Sequence, residues 1–201
     1  MKIVILCGGK GTRLGFETKI IPKPMAKIDN DPIILHIMNY YMKFGFNDFI
    51  LALGYKGNVI KNYFNKKKKN FSYKVKCVDT GKNTLTGGRL LRLKRYLFKE
   101  KNFMLTYGDG LSNVNIQKLI SFHNKRSQLA TVTAVRPPAR FGSLTIVEDL
   151  VINFGEKIQS KEGWINGGFF VLNKKVIDYI PDLNTPFEDT PLEKLSIDKE
   201  L

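Results

Sequence analysis

Apolar residues along this chain alternate between short continuous runs and longer stretches with helical spacing. The runs at 2–7, 48–53 and 103–107 are almost entirely apolar and rich in β-branched or aromatic residues, which is typical of strands buried on both faces. Between them, apolar residues recur every three or four positions, which predicts helices with one buried face. Strands that alternate with helices favour a mostly parallel sheet covered by helices on both faces.

The same pattern places the remaining elements. At 31–45 we expect a helix with Asp31 as N-cap, Pro32 in its first turn and Gly45 as its C-terminal stop. Further strands are predicted at 73–78, 130–135 and 167–172, further helices at 58–65, 87–98, 115–126 and 174–180, and a small β-hairpin from the runs 143–147 and 151–155. No repeat, linker or domain boundary is visible, so we expect one α/β domain.

Composition narrows the class of protein. The 201 residues are 43% hydrophobic, which is enough for one globular core. No apolar run approaches the roughly 18 residues of a membrane span, and Ile3–Leu6 is too short for a secretion signal. Cys7 and Cys77 lie in apolar segments without metal-binding spacing, so we expect two buried thiols and a reducing, cytoplasmic location with no membrane partner.

The charge balance favours anionic partners. Lysine and arginine number 33 against 18 acidic residues, a net charge of +15, which attracts nucleic acid, phosphorylated metabolites or anionic lipid. The basic residues are dispersed, and the run Lys66–Lys69 is more typical of a solvated loop. A nucleic-acid-binding module remains a remote alternative, but no recognised binding motif supports it, so we expect no nucleic-acid partner.

Glycines dominate the loop after the first predicted strand. Residues 8–14 contain three glycines and Arg13, but match neither a Walker A loop nor the dinucleotide fingerprint. Glycines let backbone N–H groups approach phosphate oxygens, and Arg13 can bind two of those oxygens. Lys23, between Pro22 and Pro24, adds a second cation. Because ligands gather at the carboxyl ends of parallel strands, this loop predicts a polyphosphate site there.

Further motifs follow in order along residues 1 to about 195. They are GGKGTRL (8–14), PKPM (22–25), GYKG (54–57), VDTG (78–81), TGGRL (86–90), TYGDG (106–110), RPPARFGSL (136–144), EK (156–157) and INGGFFVL (165–172). Together they resemble the sugar nucleotidyltransferase family, and within it the cytidylyltransferase branch. The resemblance implies a Rossmann-like three-layer α/β/α fold with a mostly parallel sheet and a small β-hairpin elaboration, in a single nucleotidyltransferase domain at 1–201.

The resemblance also implies a reaction. A sugar 1-phosphate, by default glucose 1-phosphate, would attack the α-phosphorus of CTP, and pyrophosphate would leave, yielding a CDP-sugar for surface polysaccharide or capsule synthesis. In this scheme Arg13 and Lys23 grip the β- and γ-phosphates, and Asp109 is both catalytic and a Mg²⁺ ligand. Nucleotide binding is expected from Leu6, Gly8, Gly9, Gly11, Thr12, Thr86, Gly88, Arg89 and Gly108. Acceptor binding is expected from Tyr107, Arg140, Glu156, Lys157, Asn166 and Gly168.

Three departures from the family pattern leave alternatives open. Residues 58–77 are shorter than usual, Ile21 replaces a usual lysine, and the chain ends at Leu201, before a segment that carries a second metal-binding aspartate in the relatives. We therefore expect CTP binding with weak or absent turnover. Because the short segment shapes acceptor binding and subunit contacts in the relatives, the acceptor and a homo-oligomer are left open. The acceptor could instead be another small phosphate, such as phosphorylated glutamine. A non-catalytic nucleotide sensor is a further alternative, although it would not need Asp109 or Lys157.

Overall fold

A computed structural model of the protein describes residues 1–11, 21–67, 73–137, 143–155 and 163–201. Its strands in chain order are β1 (Ile3–Cys7), β2 (Lys27–Ile28), β3 (Asp31–Pro32), β4 (Asp48–Leu53), β5 (Lys74–Asp79), β6 (Asn102–Tyr107), β7 (Ala130–Val135), β8 (Ser143–Val147), β9 (Leu150–Gly155) and β10 (Ile165–Asn173). Its α-helices are α1 (Ile33–Met42), α2 (Gly57–Lys67), α3 (Thr86–Leu97), α4 (Ile116–Lys125) and α5 (Thr190–Ile197). Lys23–Met25 and Lys174–Tyr179 form 3₁₀ turns.

Six strands form the central sheet in the order β5-β4-β1-β6-β10-β7. Strands β5, β4, β1 and β6 are mutually parallel, whereas β10 runs antiparallel to both β6 and β7. From β1 the chain adds strands outward through β4 to β5, and then returns to place β6 on the other side of β1. The carboxyl ends of β1 and β6 therefore flank a topological switch point, the place where such sheets bind ligands.

Side chains of the sheet alternate between two apolar layers. On β1, Ile3, Ile5 and Cys7 pack in a core layer with residues of α1, α2 and α4, while Val4 and Leu6 pack with α3, α5 and the turn Lys174–Tyr179. Buried strands that are apolar at every position are explained by this double coverage. The predicted three-layer α/β/α fold with a mostly parallel sheet is confirmed.

Several boundaries differ from the sequence predictions. Asp31 is not an N-cap, because Asp31 and Pro32 pair with Ile28 and Lys27 in a two-stranded ribbon, and α1 starts only after Pro32. The predicted helix at 174–180 is a 3₁₀ turn, and α5 was not predicted. The predicted hairpin is confirmed as β8 paired with β9. Within the described ranges, no helix is long and apolar enough to cross a membrane.

Candidate active site

A cleft of about 320 Å³ opens at the switch point between β1 and β6. One side, the glycine end, consists of the loop after β1, the turn that carries Lys23 and the loop after β6. The other side, the helix end, consists of the start of α3 and the residues before it. The cleft is lined by Leu6, Cys7, Gly8, Gly9, Lys10, Gly11, Lys23, Pro24, Thr84, Leu85, Thr86, Arg89, Tyr107, Gly108 and Asp109.

Close backbone approach shapes the glycine end. Gly11 has a φ of 67°, a conformation that favours glycine. At Gly108 a Cβ would lie 2.9 Å from the carbonyl oxygen of Leu6 and 2.9 Å from Cγ of Pro24, so a side chain does not fit there. The residue after β6 and the turn at Pro24 therefore pack closely against the end of β1 at this part of the cleft.

An ion pair between Lys23 and Asp109 spans the glycine end. Lys23 begins a 3₁₀ turn after Pro22, and Asp109 follows β6, so the two side chains come from separate loops. Each side chain is 31% exposed, which leaves both charges accessible from the cleft. A cation and an acceptor-only carboxylate therefore face the same space, beside a loop of glycines.

The buried side chain of Arg89, in α3, links the carboxyl ends of three parallel strands. Its guanidinium donates to the carbonyl oxygen of Gly8 at 2.9 Å, after β1, and to that of Leu53 at 3.0 Å, in β4. It also donates to Thr80 Oγ1 at 2.7 Å and to the carbonyl oxygen of Gly81 at 2.9 Å, after β5. One buried charged group thus links the ends of three neighbouring strands, in addition to the backbone N–H groups of Tyr55 and Thr80 that the Gly8 and Leu53 carbonyls also accept.

Burial of this arginine dictates the residues around it. Arg89 is only 4% exposed, and desolvation lowers the pKa of its guanidinium, although such a group stays protonated in proteins. A Cβ at Gly8 would lie 2.1 Å from Cζ of Arg89, and one at Gly54 would lie 2.4 Å from Nη1. Gly8, the first glycine of the loop, therefore leaves the space that the Arg89 guanidinium occupies.

The glycines of TGGRL have a similar structural function. A Cβ at Gly88 would lie 2.1 Å from the carbonyl oxygen of Leu183, and one at Gly87 would lie 2.6 Å from that of Thr185. The N–H groups of Gly87 and Gly88 donate to the Thr185 carbonyl at 3.1 and 3.3 Å. Both residues thus bring the loop before α5 against the start of α3.

Glu188, on that same loop, links Thr86 at the helix end to Tyr107 at the end of β6. Its Oε2 accepts from the Thr86 hydroxyl at 2.5 Å, and its Oε1 accepts from the Tyr107 hydroxyl at 2.6 Å. The backbone N–H of Phe187 donates to Thr86 Oγ1 at 2.8 Å, and Asn166 Nδ2 lies 3.4 Å from the Tyr107 oxygen. Burial, followed by the contact with Glu188, raises the pKa of Tyr107. Sequence analysis did not single out Glu188, because no motif marks it.

Comparison with known proteins identifies the family of this chain. The family model described as Nucleotidyl transferase matches residues 2–197. The chain belongs to the nucleotidyl transferase family. It is therefore an enzyme that transfers nucleotidyl groups, and the resemblance noted in the sequence is confirmed.

Curated relatives of this nucleotidyl transferase share most of its length. It is 48% identical to a probable glucose-1-phosphate cytidylyltransferase of Bacillus subtilis and 43% identical to the glucose-1-phosphate cytidylyltransferase of Salmonella typhi, in both cases over all of this chain and 86% of the relative. A D-glycero-alpha-D-manno-heptose 1-phosphate guanylyltransferase of Campylobacter jejuni is 36% identical over 89% of this chain and 78% of the relative.

Solved structures of related proteins support the fold. HddC from Yersinia pseudotuberculosis, solved alone and in complex with GMP-PN, superposes with a TM-score of 0.74 at 31% identity, covering 96% of this chain and 85% of HddC. The inositol-1-phosphate CTP transferase from T. maritima has a TM-score of 0.70 at 19% identity, covering 98% of this chain and 81% of that one, which shows a shared fold.

Many of the predicted site residues of this nucleotidyl transferase meet at the cleft. Gly88 does not line it, and Asn166 and Gly168 lie beside it against Tyr107, where a Cβ at Gly168 would be 2.9 Å from the ring. The cleft-lining residues among the predictions are Leu6, Gly8, Gly9, Gly11, Lys23, Thr86, Arg89, Tyr107, Gly108 and Asp109. Thr12, Arg13, Arg140, Glu156 and Lys157 fall outside the described residues.

Metal-binding capacity in the described part of the chain rests on few groups. No cluster of three or more histidine, cysteine or acidic side chains is found there. Asp109 fits a Mg²⁺ ion nonetheless, because this ion is normally held by one or two carboxylates together with phosphate oxygens and water. Both cysteines are free thiols; Cys7 is buried as predicted, but Cys77 is only partly buried, so that prediction is wrong for Cys77. Burial raises the pKa of both thiols, that of Cys77 to about 11, so neither is an activated ligand.

Proposed function

We propose that this protein is a cytidylyltransferase that joins CTP to a sugar 1-phosphate, with release of pyrophosphate and formation of a CDP-sugar. The observation that carries this proposal is the cleft at the switch point, in which a glycine loop and Lys23 face Asp109. Two relatives named glucose-1-phosphate cytidylyltransferase, at 43% and 48% identity, support the choice of CTP and of glucose 1-phosphate as acceptor.

The chemistry requires alignment and charge neutralisation more than covalent participation by the protein. A phosphate oxygen of the acceptor attacks the α-phosphorus of CTP in line, and the bond from that phosphorus to the bridging oxygen of the β-phosphate breaks. Negative charge then grows on the departing pyrophosphate. Lys23, accessible from the cleft, would stabilise that charge together with the N–H groups of Gly9 and Gly11 and with Arg13.

Asp109 would hold Mg²⁺ together with phosphate oxygens of the nucleotide. When bound, the ion neutralises negative charge between the reacting phosphates. Asp109 pairs with Lys23, so the carboxylate that would hold the ion lies next to the cation proposed for the phosphate tail.

The acceptor would lie on the side of the cleft where Tyr107, Asn166 and Gly168 meet. Arg140, Glu156 and Lys157 are proposed to complete that side, as the family resemblance implies. A different small phosphate, such as phosphorylated glutamine, remains the second candidate acceptor, since residues 58–77 are shorter than in the family pattern.

The remaining assignments follow from this activity. A CDP-sugar is an activated precursor for surface polysaccharides, and its nucleotide substrate is supplied in the cytoplasm, where we place the enzyme. We treat residues 1–201 as one domain, and we leave a homo-oligomer as a hypothesis for measurement of mass in solution.

A panel of substrate pairs tests the proposal. The protein is incubated with Mg²⁺, one nucleoside triphosphate and one phosphorylated acceptor, and release of pyrophosphate is measured alongside nucleotide binding by calorimetry. We expect CTP with glucose 1-phosphate to exceed GTP, UTP and dTTP with the same acceptor. Binding and turnover with GTP but not with CTP would contradict the assignment of the base, and CTP turnover only with another phosphate would replace the acceptor.

A further inference from the structure

Hydrogen-bond direction at the helix end is determined by Glu188. As a carboxylate it accepts hydrogen bonds and cannot donate them, so the hydrogens in both of its short contacts belong to the hydroxyls of Thr86 and Tyr107. The two hydroxyls therefore point their hydrogens at Glu188 and away from the cleft. What each hydroxyl offers to a ligand is an acceptor lone pair.

The Thr86 hydroxyl has a single remaining way to bind a ligand. A hydroxyl has one hydrogen and two lone pairs. At Thr86 the hydrogen is donated to Glu188, and one lone pair accepts the N–H of Phe187 at 2.8 Å. The second lone pair is left for the cleft that Thr86 lines, and it requires a hydrogen-bond donor on the ligand.

The charges of the cleft orient a nucleotide within it. Its phosphates belong at the glycine end, where Lys10 and Lys23 stand beside the glycines. Its neutral base then extends toward the helix end, where Leu85 is 44% exposed and offers an apolar surface next to Thr86. Cytosine carries an amino donor at position 4, whereas uracil and thymine carry a carbonyl acceptor there.

We propose that Glu188 is a positioning residue that sets base specificity: by fixing the Thr86 hydroxyl as an acceptor toward the cleft, it favours an amino-bearing pyrimidine over a keto-bearing one. This inference rests on the proposed function, because it assumes that the cleft holds a pyrimidine nucleotide. It adds to that function a residue outside the predicted motifs and a reason for the choice between CTP and UTP. The position-4 carbonyl of UTP would face the free lone pair of the Thr86 hydroxyl, so two acceptors would meet without a hydrogen, which disfavours UTP.

Removal of Glu188 separates specificity from stability. In Glu188→Ala the Thr86 hydrogen is released and can turn toward the cleft, so Thr86 can then donate to the carbonyl of UTP. We expect the ratio of the UTP to the CTP dissociation constant, measured by calorimetry with Mg²⁺, to fall by about tenfold or more. If Glu188 had only a structural function, its removal would weaken the binding of both nucleotides equally. The ratio of dissociation constants would then stay unchanged, which would overturn the proposal.

Controls distinguish the possible failures. Glu193→Ala, at an exposed position of α5, should keep the ratio of the native protein. If Glu188→Ala does not fold, Thr86→Val should lose the CTP preference while Thr86→Ser keeps it, and a CTP preference retained in Thr86→Val would overturn the proposal. If the native protein turns over CTP but binds UTP equally well, the specificity inference is wrong and the proposed activity stands; if it binds neither nucleotide, both are wrong.

Discussion

The two ends of the cleft are built in opposite ways. At the glycine end, Lys23 and Asp109 form a partly exposed ion pair beside a loop whose second glycine, Gly9, would have no contact within 4 Å of an added Cβ. At the helix end, Arg89 is buried with four hydrogen bonds, and Glu188 holds two hydroxyls from different elements. We infer that the glycine end is free to rearrange around phosphates, whereas the helix end is already in position before a ligand binds.

This difference predicts that substitutions at the glycine end affect activity much more than stability. Lys23→Met should lower kcat/KM for cytidylyl transfer by about 10²-fold, because a cation that meets the leaving phosphates stabilises the transition state. Lys27→Met removes an exposed lysine of the neighbouring ribbon and should leave kcat/KM unchanged. Steady-state pyrophosphate release measures both, and a Lys23 variant that is as active as the native protein would refute the position of the phosphates.

At the helix end we expect the largest loss of stability. Arg89→Leu removes the donor of four buried hydrogen bonds, although the Gly8 and Leu53 carbonyls keep backbone N–H partners. It should lower the free energy of unfolding by about 2 kcal/mol or more. Urea denaturation measures this change. Arg92→Leu, one turn of α3 apart at an exposed position, should change it by less than about 0.5 kcal/mol. Equal losses for the two arginines would show that the buried hydrogen bonds do not stabilise the fold.

Gly8 and Gly9, adjacent in the loop after β1, test how closely Arg89 approaches the glycine end. Gly8→Ala places a methyl group against the Arg89 guanidinium and should destabilise the protein by about 1–3 kcal/mol through overpacking. Gly9→Ala meets nothing within 4 Å and should change the free energy of unfolding by less than about 0.5 kcal/mol. Thermal unfolding of the two variants side by side measures the difference, and equal melting temperatures would argue against the close approach of Arg89 to the loop.

The smallest effect concerns the ion pair itself. Its two side chains are each 31% exposed, so water screens the attraction, and Lys23→Met should reduce the free energy of unfolding by less than about 1 kcal/mol. Urea denaturation of the variant already prepared for kinetics gives this value. A larger loss would mean that the glycine end is held as rigidly as the helix end.

Much of the fold and part of the site followed from local patterns. Apolar runs and helical spacing predicted the strands and helices of the sheet to within a few residues, because burial on both faces leaves a signal in every strand. The sequence motifs predicted that Lys23, Thr86 and Asp109 belong to one site, and in the structure all three line the same cleft. The α5 helix and the ribbon at Asp31 left weaker signals, since tertiary pairing decided them.

The contacts that form the helix end could not be predicted from the sequence, for a physical reason. Glu188 meets Thr86 across 102 positions and Tyr107 across 81, and Arg89 reaches Gly8 across 81. No local period or spacing encodes contacts of that range, and an arginine or a glutamate reads the same in sequence whether it faces solvent or a strand end. Residue pattern alone therefore determined the layers, the glycine loop and the cations near it. Which hydroxyls point into the cleft as acceptors, and which glycine must stay bare for Arg89, were decided by tertiary packing, because only the folded chain brings these distant groups within hydrogen-bonding distance.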